Sequence, residues 1–259
     1  MSYWQDRMTK AQDNLTKKKT QDIEKQIAKY YERAMEQVIE DFIYTYDKVV
    51  HTEVFENRKP TPADLYKLDS YWKMQASLKQ ELQKLGDKQL LLLSKEFEKE
   101  FKEIYKLVAL ESQLPYTTPA KEMVKQMVNQ IWAADGKAWS ERVWKNLEEL
   151  TDTLNEELLH CVVSGKNSDD LKVLLADRFN VSYNRADTLV RTELAHIQTQ
   201  AAQQRYLDAG VKEVQVWASY DERQCKQCGK LHKKVYPIGA QMPIPAHPKC
   251  RCCIVPVIE

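Results

Sequence analysis

A mainly helical fold with a small β element near its C-terminus is predicted by three features of this 259-residue chain. It holds only six glycines, and its 43% hydrophobic and 30% charged residues suit amphipathic helices better than an all-β architecture. Apolar residues recur at intervals of three and four through most of the first half. Five of the six cysteines fall between Cys225 and Cys253, in a polar, proline-containing loop with few apolar anchors.

From Tyr3 to Asn57 there is neither glycine nor proline. Ile23, Ile27, Tyr30, Ala34, Val38, Phe42 and Val49 set one apolar stripe along a helix. The first ~18 residues read as too polar to be held by packing within the chain, so a fraying end, or one offering Tyr3, Trp4 and Met8 to a partner, is expected. "RKPTPADL" interrupts the helix. Thr61 is placed to cap the next one, with Pro62 at its first position and Asp64 reaching back. Leu65, Leu68, Trp72, Leu78, Leu82 and Leu85 mark a second buried face, and Gly86 reads as its end. Leu90, Leu93, Phe97, Phe101, Ile104 and Val108 define a third. Short connections between long helices imply an antiparallel bundle.

"SQLPYTTPA" (Ser112 to Ala120) breaks the helical period twice with proline. A boundary there gives an N-terminal helical arm or bundle over 1–114 and a second domain over 119–259. In the second part, Trp132, Trp139, Trp144, Leu147, Leu150, Leu154 and Leu158 are expected in the core. Ser168 is expected to open a short helix to Phe179, and Ser182 to cap the next, which runs to Gly210. Gly165-Lys166 is no phosphate loop, because the upstream glycine of that motif is missing. "EVQVWAS" alternates as a strand does, and "IVPVIE" can pair with it as an edge strand, where Pro256 is tolerated.

The net charge of +1 gives no global pull toward nucleic acid or a membrane. "MSYWQDRMTK" lacks the apolar core of a signal peptide, and the longest aliphatic run, Leu90 to Leu93, is far short of the ~20 residues that span a bilayer. A cytoplasmic setting is expected. Disulfides are rare there, and clustered thiols bind metal more often.

Cys225-Lys-Gln-Cys228-Gly229 has the form of a zinc knuckle, in which two thiolates two residues apart face one ion. Gly229 would permit the positive φ that turns N–H groups toward sulfur. His247-Pro-Lys-Cys250-Arg-Cys252 supplies the other half. Cys225, Cys228, His247 and Cys250 are the preferred ligands of a structural zinc. Cys252 is held in reserve, replacing His247 or lying beside the site, and His232 is a weaker alternative. Four protein ligands leave a tetrahedral ion no open position, so a clamp is expected rather than a catalyst. Cys253 should point away from Cys252. The plainer alternatives are scattered buried cysteines or a redox pair at Cys225 and Cys228, for which the strand–motif–helix context is missing.

"LVRTELAHIQ" holds the other polar constellation. Arg191, Glu193 and Asp221 are read as a structural charge network in which Arg191 holds Asp221 and fixes the loop to the helix. The alternative is an acid–base or metal pair among Glu193, Asp187 and His196. His160 and His196 otherwise read as ordinary helix residues.

Taken together, "RTE" in a helix followed by "VQVWASYDERQCKQC" and "PAHPKCRC" resembles the C-terminal signature of the Mu F-like phage head morphogenesis family, also called minor head or minor capsid proteins. The resemblance runs from about Val128 to Pro256 and rests on Arg191, Thr192, Glu193, Trp217, Asp221, Cys225, Cys228, His247, Pro248, Cys250, Arg251 and Cys252. The opening "SYWQDR" is more weakly similar to the variable front ends of members from phages of Gram-positive hosts. Cys253 is extra to the pattern. The resemblance implies a virion component of low copy number in the capsid interior near the portal. Its partners would be the portal protein and other head or scaffold proteins, and its work head assembly and DNA packaging or delivery.

Two other functions compete. Lys226, Lys230, Lys233, Lys234, Lys249 and Arg251, with Arg223, form a run of cations without acids that could contact nucleic acid; a solvated loop is the plainer reading. A metal-dependent nuclease or hydrolase would use Glu193, His196 or His232, but "HExxH" is absent.

Overall fold

The computed structural model describes residues 3–50, 61–218 and 225–257. Seven helices and three strands follow one another in these segments: α1 (Tyr3–Val50), α2 (Pro62–Leu65), α3 (Asp69–Glu111), α4 (Lys121–Val128), α5 (Trp139–Ser164), α6 (Ser168–Asp208), β1 (Glu213–Trp217), α7 (Lys226–Leu231), β2 (Val235–Pro237) and β3 (Cys253–Pro256). Among the described residues no helix is long and apolar enough to cross a membrane. The chain forms two compact units: the first from 1–24, 92–139 and 187–259, the second from 25–91 and 140–186. Helices α1, α3 and α6 contribute residues to both, so the units alternate along the chain. The single division at 114/119 remains a proposal.

In the second unit, Ile27, Ala34, Val38, Phe42 and Val49 are buried as the stripe predicts, with Tyr31 in the place expected for Tyr30. Asp64 accepts hydrogen bonds from the Thr61 N–H (2.9 Å) and hydroxyl (2.7 Å), but the helix it caps is a single turn. Helix α3 then starts at Asp69 and runs on through Gly86. Gly86 is therefore not a helix end. A Cβ there would lie 2.2 Å from Cζ3 of Trp144, so the position is glycine because the indole of α5 packs on the bare backbone. Trp72, expected in the core, is 58% exposed, and its N–H donates to the Tyr66 carbonyl (3.0 Å).

Helix α6 is likewise continuous where two helices are expected. It opens at Ser168 as expected, capped by Asn167, whose side-chain oxygen accepts from the Asp170 N–H (2.8 Å). Ser182 sits mid-helix. Its hydroxyl lies 3.2 Å from the Tyr31 hydroxyl, and its carbonyl accepts from Asn146 (2.9 Å). With tertiary partners to satisfy it, this serine has no need of a helix terminus.

In the first unit α1 is held in place from Arg7 onward, contrary to the fraying end expected from its polarity. The side chains of Tyr3 and Trp4 lie outside the described residues. Met8 is fully buried. Lys19 lies 3.0 Å from Glu100 and 2.6 Å from Glu103, and Arg7 meets Glu111 at 2.5 Å. The polar residues are paired with polar residues of α3, which a hydropathy stripe does not register. Helix α6 ends in a left-handed Gly210 (φ +76°), with the Val211 N–H returning to the Tyr206 carbonyl at 3.0 Å. The chain then enters a three-stranded antiparallel sheet of order β2-β1-β3. Val214 pairs with Pro256 and Trp217 with Cys253, so the edge pairing with "IVPVIE" forms as predicted. The third strand, β2, was not anticipated; it pairs Val214 with Tyr236.

Candidate metal centre

The sheet and the second half of α6 frame the cysteine loop. Cys225 is the N-cap of α7, and its sulfur accepts from the Cys228 N–H at 3.3 Å. The knuckle is thus a helix cap, and Gly229 lies within α7 without a positive φ. The left-handed backbone that brings the other half round is at Lys249 (φ +59°).

Two groups of potential ligands converge here: Cys225, Cys228 and His247, and Cys228, Cys250 and Cys252. Within each group the ligand atoms lie within 4.8 Å of one another, and Cys228 belongs to both. Its sulfur is 3.8 Å from that of Cys250 and 3.0 Å from Nε2 of His247. Two tetrahedral zinc–sulfur bonds hold their sulfurs about 3.8 Å apart, and a sulfur–imidazole pair about 3.6 Å apart. The Cys228–Cys250 pair already has that spacing, and the Cys228–His247 pair is about 0.6 Å short of it. Cys225, His247 and Cys250 do not fall in one group. The thiol and imidazole donors suit a thiophilic divalent ion, but the four predicted ligands meet on one only after their side chains shift. His247 Nδ1 lies 2.8 Å from the Pro248 carbonyl. That bond fixes the proton on Nδ1 and leaves the Nε2 lone pair facing the sulfurs.

The thiols differ in acidity. Hydrogen bonding from Cys252 brings the Cys250 thiol down to about 5, against the pull of burial. Cys225 is lowered first by the Cys228 N–H. Burial pushes Cys228 up to about 12, and Cys252, which shares its proton with Cys250, is pushed up as well. The Pro248 carbonyl raises His247. A thiolate at Cys250 already carries the charge that an incoming cation needs.

The remaining cysteines and histidines among the described residues belong to neither group. Cys253 belongs to neither group; its sulfur lies 3.7 Å from the Thr9 hydroxyl, so it does diverge from Cys252. Cys161 is buried in α5. His232 accepts from the Ala218 N–H (3.2 Å) and packs edge-on against Trp217.

Arg191 sits in a charge network on α6. Asp221 lies outside the described residues. Among the described residues Arg191 pairs with Asp187 (3.0 Å) and with Glu24 of α1. Lys249 reaches Asp187 at 2.6 Å, and its N–H donates to the Thr192 hydroxyl at 3.1 Å. The loop is therefore tied to α6 beside Cys250. Burial first, then the hydrogen-bonded Asp187, raises Glu24 to about 7, with Arg191 opposing. Burial would raise Asp187 too, but Lys249 and Arg191 outweigh it and hold it below its ordinary range. Sequence reasoning missed Glu24, since nothing local links it to α6. The i,i+4 spacing of Asp187 and Arg191 was visible.

Glu193 is 2% exposed and accepts from the Trp132 N–H at 2.9 Å. His196 stacks on the same indole with ring centres 4.3 Å apart. Neither residue joins a metal group among the described residues. Lys226, Lys230, Lys233, Lys234, Lys249 and Arg251 are all exposed.

Residues 152–255, from within α5 to within β3, match the family described as Phage Mu protein F like protein. No curated protein and no solved structure matches the chain.

Proposed function

With residues 152–255 a Mu F-like segment, we propose that this chain is a minor head protein of a phage particle. It would sit with the portal or the procapsid interior during head assembly and DNA packaging or delivery. The observation that carries the reading is that the whole Cys/His cluster lies inside the matched segment. Residues 119–259 are proposed as the head-morphogenesis domain and 1–114 as its helical arm. Cys225, Cys228, His247 and Cys250 would hold a structural zinc, with Cys252 as the reserve ligand, and the ion would clamp the loop that Lys249 ties to α6. Glu193 and His196 engage Trp132, and no catalytic role is proposed for them. The site of action would be the virion, after assembly in the host cytoplasm. Co-sedimentation of the purified chain with its cognate portal ring tests the reading. A stoichiometric complex is expected, and a chain left wholly in the supernatant overturns portal association.

One observation favours a second activity alongside the first. Six cations of the loop are exposed on a chain of net charge +1. Binding of DNA that weakens steeply with salt, and further on replacing Lys233 and Lys234 with alanine, is the expected signature.

A further inference from the structure

The first unit holds a second concave site, outside the cysteine cluster. A cavity of about 810 Å³ opens between the segment 127–134, the second half of α6 from His196 to Leu207, and the loop 239–246. None of its twenty lining residues is Asp, Glu, Lys or Arg. With 30% of the chain charged, a random patch of this size would hold about six. Six lining residues are instead glutamines.

The glutamines divide by task. Gln203 donates to the Ala240 carbonyl (2.8 Å) and Gln227 to the Ala246 carbonyl (2.9 Å), pinning the loop wall to α6 and α7. Gln204 donates to Asp208. Gln130, Gln200 and Gln241 have no side-chain hydrogen bond among the described residues. Between them lie apolar side chains open to solvent, Ile131 at 56% and Leu207 at 48% exposed.

We propose that this groove docks an extended, uncharged peptide segment of another protein. Without a cation the groove has no charge to neutralise a phosphate and release its counterions, which weighs against nucleic acid. A side-chain amide carries the same donors and acceptor as a peptide group. An extended backbone has such groups unpaired, whereas a helix has already satisfied its own. Ile131 and Leu207 supply contacts for alternate apolar side chains. A sugar ring would want an open aromatic face, but Trp132 has one face under His196 and its N–H on Glu193. The inference depends neither on the metal reading nor on the phage reading.

The test is selection of a displayed library of random peptides of about nine residues on the full chain, followed by fluorescence anisotropy with the synthetic consensus. The selected peptides are expected to be poor in Asp, Glu, Lys and Arg. Their affinity should fall about ten-fold or more in both Gln200→Glu and Ile131→Glu; the second changes an exposed position, so folding is not at stake. No enrichment, a charged consensus, or undiminished binding to both variants overturns the proposal. So does a dimer of the chain that Ile131→Glu dissolves, since a second copy would then be the occupant.

Discussion

Cys228 is the pivot of the proposed clamp, because it is the one residue shared by both ligand groups. Replacing it with serine takes a thiolate from either arrangement. Each of the other ligands belongs to one group alone. The chain as purified, without chelator, is expected to carry one zinc ion, and Cys228→Ser none. Cys252→Ser should keep the ion if the ligands are Cys225, Cys228, His247 and Cys250. The cost follows from linkage. An ion at about 1,000 times its dissociation constant stabilises the folded chain by ~4 kcal/mol. At ~2–4 °C per kcal/mol for a chain of this size, the variant should melt ~8–16 °C lower. Chelation of the wild type should lower its melting temperature by the same amount and leave the variant unmoved. Metal content by mass spectrometry and calorimetry on the same samples give both numbers. X-ray absorption should show sulfur at about 2.3 Å and nitrogen at about 2.0 Å. A metal-free wild type, or a Cys228→Ser chain with its ion in place, would refute the reasoning.

Two further perturbations report on the fold, one in each unit. Gly86→Ala should destabilise the chain by up to ~2 kcal/mol in urea, because an overpacking cost of ~1–3 kcal/mol against Trp144 exceeds the ~1 kcal/mol gain in helix propensity. In a Trp144→Ala background the same change should stabilise by ~1 kcal/mol, and a stabilised single variant would show that the indole does not pack on Gly86. Glu24 has its folded pKa raised to about 7 from 4.5. Its contribution is therefore fully present below the lower value and is lost as pH rises through the upper one. Glu24→Gln should melt higher than wild type at about pH 8, with a flatter pH profile between the two values; parallel profiles would dissociate Glu24 from the network.

Much of this arrangement was legible in the residues. Ile27, Val38 and Phe42 are buried because helical spacing sets them on one face, and β1 meets β3 because alternation and an edge-tolerated proline both point that way. The knuckle and the His-Cys segment converge as their spacing suggests. Failures came where a local signal had a tertiary cause. Gly86 carries the mark of a helix end, yet its missing side chain makes room for a ring on α5. Ser182 carries the mark of a cap, yet it meets Tyr31. Lys19 looks like solvent-facing charge until Glu100 and Glu103 arrive from α3. In "VKEVQVWAS" and "HKKVYPIG" only the first has enough alternation to be read as a strand, and β2 forms because β1 offers it an edge.

The alternation of the two compact units has a consequence for synthesis. The first unit needs Met1–Glu24 together with Asp187–Glu259. On the ribosome, roughly 160 residues separate these pieces, which at ~5–20 residues per second is a delay of roughly 10–30 s. Throughout it, Met8 and Ile23 have only the 92–139 segment of their unit as a partner. Nascent-chain handling, more than equilibrium stability, is where this design is most exposed.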